Sequence, residues 1–227
     1  MTVFETLSPN QQELISKHLE LVIKANENIN LTRITSVEEA YLLHIEDSLA
    51  GLEELRNAPK GLYGDMGTGA GYPGIPLSIA TKRETVLIDA RKKKMDVVAG
   101  IIQELGLSDQ ISTYAGRAEL LAKTQSKRYA ALTARALSQL PVLMELASPL
   151  LQKNGVLICY KAQLTDAELA DARQVQPLVG LTLEQDREFM LGGEYQRRIL
   201  TFRKTAEPKV SLPRQEGLAQ KHPLSEK

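Results

Sequence analysis

Apolar residues recur along this chain with two different periods, and the change from one to the other near residue 60 divides it. Near the start, Leu14, Ile15, Leu19, Val22 and Ile23 follow at helical spacing behind Ser8-Pro9-Asn10-Gln11, which reads as an N-cap, a proline at the first helical position and a capping-box glutamine. The pattern predicts a helix from about Pro9 to Ala25. Ser36-Val37-Glu38-Glu39 repeats the box ahead of Tyr41, Leu42, Ile45 and Leu49, so a second helix is expected after a polar link from Asn26 to Thr35. From Gly61 onward, strand-like apolar runs alternate with helical stretches. The strands are expected at Leu62 to Met66, Thr85 to Asp89, Ile111 to Ala115, Tyr129 to Thr133 and Gly155 to Lys161. The helices are expected around Ile75, at Lys94 to Leu105, around Glu119, at Pro141 to Leu151 and at Asp166 to Gln174. Such alternation implies a parallel sheet. Leu181 to Phe189 and Gln196 to Arg203, flanking Gly192-Gly193, read as an antiparallel hairpin that ends it. The chain therefore divides into an N-terminal helical cap (1–57), an α/β domain (58–204) and a C-terminal tail (205–227), expected to be poorly ordered or extended.

Composition narrows the functional classes. At 227 residues, with 43% apolar and 25% charged residues, the chain suits one α/β domain with an appendage. It has no run of the ~20 apolar residues a membrane span needs and no basic-then-apolar signal sequence, so a cytoplasmic, membrane-free protein is expected, and a monomer. The single cysteine, Cys159, sits in the strand-like run Val156-Leu157-Ile158-Cys159-Tyr160 and reads as a buried, inert thiol. His18, His44 and His222 lack zinc spacing, and no metal is expected. The net charge of zero hides a split: residues 1–57 hold ten acids against four bases, net −6, which leaves +6 on the remainder. The basic part favours a polyanionic substrate, although a charge-mixed solvated surface produces the same split.

The most informative segment is Gly64-Asp65-Met66-Gly67-Thr68-Gly69-Ala70-Gly71-Tyr72-Pro73-Gly74, followed by Thr85-Val86-Leu87-Ile88 ending at Asp89. A strand, a glycine bend, a helix and a second strand closing on a carboxylate form a nucleoside-binding unit. Two registers overlap. Gly69-x-Gly71-x-x-Gly74 with Asp89 about 20 residues on satisfies the dinucleotide fingerprint and points to a nicotinamide (NAD) oxidoreductase. Asp65-x-Gly67-x-Gly69-x-Gly71 suits S-adenosyl-L-methionine instead. Its methionyl end carries an ammonium beside a sulfonium, which a carboxylate attracts, whereas Asp65 would repel a pyrophosphate. Pro73 and Pro76 also remove donors that a phosphate would want. A sheet that ends in an antiparallel hairpin likewise suits a methyltransferase better than a dehydrogenase.

In an open α/β sheet the ligand lies beyond the carboxyl ends of the strands. The candidates there are Asp65 to Gly71, Asp89 to Arg91, Gly116 to Glu119, Arg135 and Lys161. Asp89 is the candidate ribose ligand, with a helix N-cap as the alternative. Ala118-Glu119 lies where an adenine edge would pass, although Glu119 also reads as a first-turn acid favoured by the helix dipole. Arg135 stands where methyl donor and acceptor would meet; a surface ion pair is the plainer role. Arg91-Lys92-Lys93-Lys94 reads either as a solvated helix face or as an RNA contact.

Together these residues resemble the RsmG (GidB) family of methyltransferases, which modify N7 of one guanine in bacterial small-subunit ribosomal RNA. The likeness runs through Asn28-Ile29-Asn30-Leu31-Thr32, His44-Ile45-Glu46-Asp47-Ser48-Leu49 and Gly67 to Leu77. It continues in Gly116-Arg117-Ala118-Glu119, Ala134-Arg135-Ala136, Arg197 before Ile199, Leu212-Pro213-Arg214, Gly217 and Lys221-His222-Pro223-Leu224. It implies a Rossmann-like class I methyltransferase fold and cofactor contacts from Gly67, Tyr72, Ala118, Glu119 and Arg135. With Asp65, Gly69, Gly71 and Asp89 these make the candidate cofactor set, and Arg91, Lys92, Lys161 and Arg197 the candidate contacts to 16S ribosomal RNA. The chain departs from the family's usual pattern at Ala25, where the family has Trp, and at Lys161-Ala162, where it has Lys-Gly. Guanine N7 carries an in-plane lone pair and no proton, so no general base is expected, and catalysis should rest on proximity, orientation and electrostatics.

Overall fold

The computed structural model describes residues 2–27, 29–32 and 36–226. Asn28 of the Asn-Ile-Asn-Leu-Thr motif and Arg33, Ile34 and Thr35 of the expected link lie outside the described residues. Helix α1 (Pro9–Asn26) begins where the capping box predicts: the Ser8 side chain accepts from the Gln11 N–H, and the Gln11 side chain accepts from the Ser8 N–H. Ile15, Leu19 and Val22 bury the apolar stripe. The second helical stretch is a composite: α2 (Val37–Ala40), a π-helical turn (Tyr41–Glu46) and α3 (Asp47–Leu49), followed by α4 (Leu52–Asn57). The π turn widens the helix where His44 and Asp47 face the domain, a geometry that often marks functional positions.

The domain that follows runs β1 (Leu62–Met66), α5 (Gly74–Thr81), β2 (Thr85–Asp89), α6 (Lys92–Glu104), β3 (Ile111–Ala115), α7 (Ala118–Thr124), β4 (Tyr129–Arg135), α8 (Leu140–Ala147), β5 (Leu151–Lys161) and α9 (Asp166–Val179). The hairpin β6 (Leu181–Leu191) and β7 (Tyr195–Lys204) completes it. The seven strands lie in the order β3-β2-β1-β4-β5-β7-β6; β1 to β5 pair in parallel, and β7 is antiparallel to both neighbours. Strand order reverses between β1 and β4, which opens a crevice at their carboxyl ends. One apolar cluster fills the space between the sheet, α1, α5 and α6, and a second lies on the opposite face under α7, α8 and α9.

Several boundaries differ from the sequence reading. β5 begins at Leu151, not Gly155, and α8 ends at Ala147, because Pro149 cannot continue the helix and Leu151 pairs with Tyr129. β4 continues to Arg135, paired with Tyr160. α9 runs through Pro177 to Val179, because a proline near the helix end forfeits only one backbone bond.

The tail is irregular over most of its length and packs along the domain. Lys209 N–H donates to Leu178 O, Val210 and Leu212 pack on the second cluster, and Ala219 and Leu224 are buried. Arg214 makes a two-pronged ion pair with buried Glu145, at 2.7 and 2.6 Å, before the short helix α10 (Leu218–Lys221). Among the described residues, no helix is long and apolar enough to cross a membrane, and no group of three or more His, Cys, Asp or Glu is placed to hold a metal.

Candidate active site

The bend between β1 and α5 spends its backbone donors on the protein itself. Gly67 and Thr68 N–H donate to Ile88 O, Gly71 and Tyr72 N–H to Thr68 O, and Gly69 N–H to Asp89 Oδ2 at 3.1 Å. The first turn of α5 is equally committed: Gly74 N–H goes to Asp65, Ile75 N–H to Gly71 O and Leu77 N–H to Pro73 O, while Pro76 has no donor. A pyrophosphate needs bare N–H groups at this helix start, and none remains. What the loop retains is acceptor capacity, since each carbonyl has two lone pairs, and that suits a cationic ligand. Gly67, at φ +71°, brings the backbone close to the next loop: a Cβ there would lie 2.7 Å from the Leu137 side chain.

Asp65 holds this bend from behind. It is fully buried, its Oδ1 accepts from the Thr133 hydroxyl at 2.7 Å, and its Oδ2 accepts from Gly74 N–H at 3.0 Å. The Tyr63 hydroxyl, 2.7 Å from Thr133 Oγ1, extends the network. Burial raises the Asp65 pKa to about 6, against the hydrogen bonds from Thr68, Thr133 and Gly74 and the charge of Arg135, which lower it. The structure thus takes Asp65 away from the ammonium-binding role that sequence suggests. Its carboxylate pairs the Gly74 N–H at the helix start and the Thr133 hydroxyl, and it does not line the cavity.

In front of the bend lies a cavity of about 430 Å³, within the size range of small-molecule sites. Of the candidate residues, Gly67, Gly69, Tyr72, Asp89, Arg91, Ala118, Glu119 and Arg135 line it. Asp65 and Gly71 lie behind the wall, where a Cβ on Gly71 would meet Ile75 and His18. Asp89 Oδ1 accepts from Arg91 N–H at 2.9 Å, so it caps α6 and borders the cavity at once. Buried Glu119 accepts from the Gly217 N–H of the tail at 2.8 Å. Tyr72 lines the cavity, and its buried hydroxyl has no hydrogen-bond partner among the described residues.

A second cavity of about 350 Å³ adjoins the first and shares His44, Arg135 and Ala136 with it. Lys161 and Arg197 line it, whereas Arg91 borders the first cavity and Lys92 lies exposed on α6, lining neither. Asp47 organises this side. Its Oδ2 accepts from Arg135 Nη1 at 2.7 Å and its Oδ1 from Arg197 Nε at 3.1 Å, so one carboxylate of the N-terminal region bridges two arginines of the sheet. Arg135 also donates to Leu43 O at 2.8 Å, and Lys161 pairs with Glu168 at 2.7 Å. The His44 ring stacks on Tyr72 at 4.5 Å and 6°, with Nε2 2.9 Å from Thr32 Oγ1. Burial, then the Arg135 charge, lower its pKa to about 4, so the ring is neutral at pH 7. His18, on the same tyrosine, bonds Ala70 O at 3.0 Å and is lowered to about 3, chiefly by burial. In the sequence the run His44 to Leu49 stands out only as part of the family resemblance, which assigns no role to His44 or Asp47. The widened helical turn that aims both is invisible in a hydrophobic pattern.

A sheet of this order, with its glycine bend at the switch point and the bend's donors spent beside a nucleoside-sized cavity, defines a class I, S-adenosylmethionine-dependent methyltransferase. Solved structures share the fold: the O-methyltransferase from Bacillus cereus in complex with SAH aligns with a TM-score of 0.57 at 17% identity, covering 88% of this chain and 100% of that one. The family model described as rRNA small subunit methyltransferase G (GidB) matches residues 11–190, and the chain belongs to that family. Ribosomal RNA small subunit methyltransferase G of Desulfitobacterium hafniense (strain Y51) is 36% identical over 222 residues, 96% of this chain and 91% of the relative. Its counterpart in Streptococcus pyogenes serotype M6 is 35% identical over 224 residues, 96% of this chain and 94% of the relative. The nicotinamide alternative finds no support in these matches.

Proposed function

We propose that the chain transfers the methyl group of S-adenosylmethionine to N7 of a guanine in small-subunit ribosomal RNA. The observation that carries this reading is the meeting of two cavities at His44, Arg135 and Ala136, one lined by the glycine bend and Asp89, the other by Lys161 and Arg197. Gly67, Gly69, Tyr72, Asp89, Ala118 and Glu119 would hold the donor, which supplies an electrophilic sulfonium methyl when bound. Asp89 keeps acceptor capacity for ribose hydroxyls, because a carboxylate offers about four lone-pair sites and only two N–H groups use it.

N7 attacks through a lone pair, so the residues at the junction have no proton to move. Their task is to orient the base, exclude water and avoid opposing the cationic product. Arg135 fits a positioning role, since Asp47 and Leu43 O already hold and partly neutralise its guanidinium. His44, neutral at the working pH, adds no opposing charge. Lys161 and Arg197 suit the phosphates beside the target base, and Arg91 and Lys92 flank the approach.

The test is transfer of labelled methyl to small-subunit RNA from cells lacking the modification, offered side by side as intact subunits and as deproteinised RNA, followed by nucleoside mass spectrometry. 7-Methylguanosine in either arm is expected. Transfer to another atom, or none to either substrate, overturns the reading.

A further inference from the structure

The C-terminal tail contributes a residue to the donor cavity that neither the family resemblance nor the candidate set contains. The methyl end of a bound donor must face the second cavity, at His44 and Arg135 beyond β4, because the acceptor enters there. With the strands in the order β3-β2-β1-β4, its base end then falls at the opposite side, beside β3 and the start of α7. Gln220 lines the cavity together with Gly116, Arg117, Ala118 and Glu119, the residues of that end, and is the tail's contribution to the wall.

Its placement is built, not incidental. Gly217, at φ +73°, turns the chain into α10 and donates its N–H to Glu119 Oε1 at 2.8 Å. Ala219, 1% exposed, anchors the position directly before Gln220. Arg214 closes the loop from the other side, bonding Glu145 twice and donating to His222 O at 2.8 Å. Gln220 is exposed where it lines the cavity, and its amide makes no hydrogen bond to the described residues, so it has both a donor and an acceptor to offer. An adenine presents the complementary pair, an exocyclic amino donor beside a ring-nitrogen acceptor, and glutamine is a good match for it.

We infer that Gln220 recognises the adenine edge of the methyl donor, so that the tail, fastened through Glu119, Glu145 and Arg214, is part of the cofactor site. This inference rests on the S-adenosylmethionine reading of the cavity and deepens it.

Calorimetry on the full chain tests it with two probes: S-adenosylhomocysteine and its 6-desamino analogue, in which hydrogen replaces the amino group. The wild type is expected to bind the first more tightly. Gln220→Ala should weaken S-adenosylhomocysteine by about tenfold and the analogue, which retains only the ring-nitrogen contact, by clearly less, narrowing the preference, and should raise KM for the donor. Gln220→Glu, which keeps an acceptor for the amino group, should retain part of the preference. Equal weakening of both probes by Gln220→Ala, or no weakening of either, overturns the inference while leaving the cofactor reading intact. Failure of the wild type to bind either probe overturns the cofactor reading itself, and this inference with it.

Discussion

Two segments outside the α/β domain border the donor cavity, and they are fastened by opposite means. The N-terminal region brings Leu31, Thr32 and His44 to it; the tail brings Gln220. The former is a layer of the core, with Ile15, Val22, Ile45, Leu49 and Leu55 fully buried. It offers carboxylates to the sheet's arginines: Asp47 to Arg135 and Arg197, and Glu54 to Arg187. The tail has few apolar anchors and reverses the polarity, offering an arginine and a glycine N–H to carboxylates of the domain, Glu145 and Glu119. The acidic first quarter and basic remainder thus have a partly internal explanation, as halves of buried pairs rather than only as a field for RNA. The difference also predicts different failure. A core layer cannot leave without exposing apolar surface, so a broken pair there strands its partner charges in the interior. A strap can peel away and let water reach what it uncovered.

The sharpest way to break the comparison is Asp47→Ala, which leaves Arg135 and Arg197 largely buried without their shared counter-charge. Loss of about 3–5 kcal/mol of stability is expected in urea unfolding, together with loss of methyl transfer. A loss below about 1 kcal/mol would mean that apolar packing alone docks this region. Asp65→Asn comes next: Thr133 and Gly74 approach different oxygens, so one of these donors would face the amide NH2, and about 1–3 kcal/mol should be lost and donor affinity should fall. Arg214→Ala should cost less, about 1–2 kcal/mol, because the tail can detach and hydrate Glu145. Hydrogen exchange should show protection lost around 212–224 and kept in the N-terminal helices; loss in both would erase the distinction.

The smallest effect is in pH dependence. His18 and His44 have folded pKa values of about 3 and 4, below the usual 6.5, so their stability contribution is present above 6.5 and is lost as the pH falls. Between pH 7 and 6 each ring should cost on the order of 0.5 kcal/mol. Asp65, raised to about 6, acts the other way, since its contribution is present below its unfolded value and is lost as the pH rises through 6. His18→Gln, which keeps a donor for Ala70 O, should flatten the acid-side slope relative to wild type; an unchanged slope would show that His18 is not the buried neutral ring described.

What was legible from sequence rests on local chemistry. The capping box of α1, the strand and helix alternation, the hairpin around Gly192-Gly193 and the glycine bend ending near Asp89 are each written within a few residues, where periodicity and backbone preference act. Strand ends singled out Ala118, Glu119 and Arg135, the family likeness added Tyr72, and the structure lines one cavity with all four. The tail read as poorly ordered or extended because it has low apolar content and several prolines, and its anchors lie on other elements.

By itself, then, the sequence determined the elements, their alternation and the place of a nucleoside site along the chain, since those follow from neighbours in sequence. Only the tertiary structure decided that Asp65 braces the bend instead of facing the ligand, that Asp47 reaches Arg135 and Arg197 across separations of 88 and 150 residues, and that the tail returns to Glu119 across 98. A carboxylate's partner is whichever donor the fold brings within about 3 Å, and when that donor is distant in sequence no local pattern announces it.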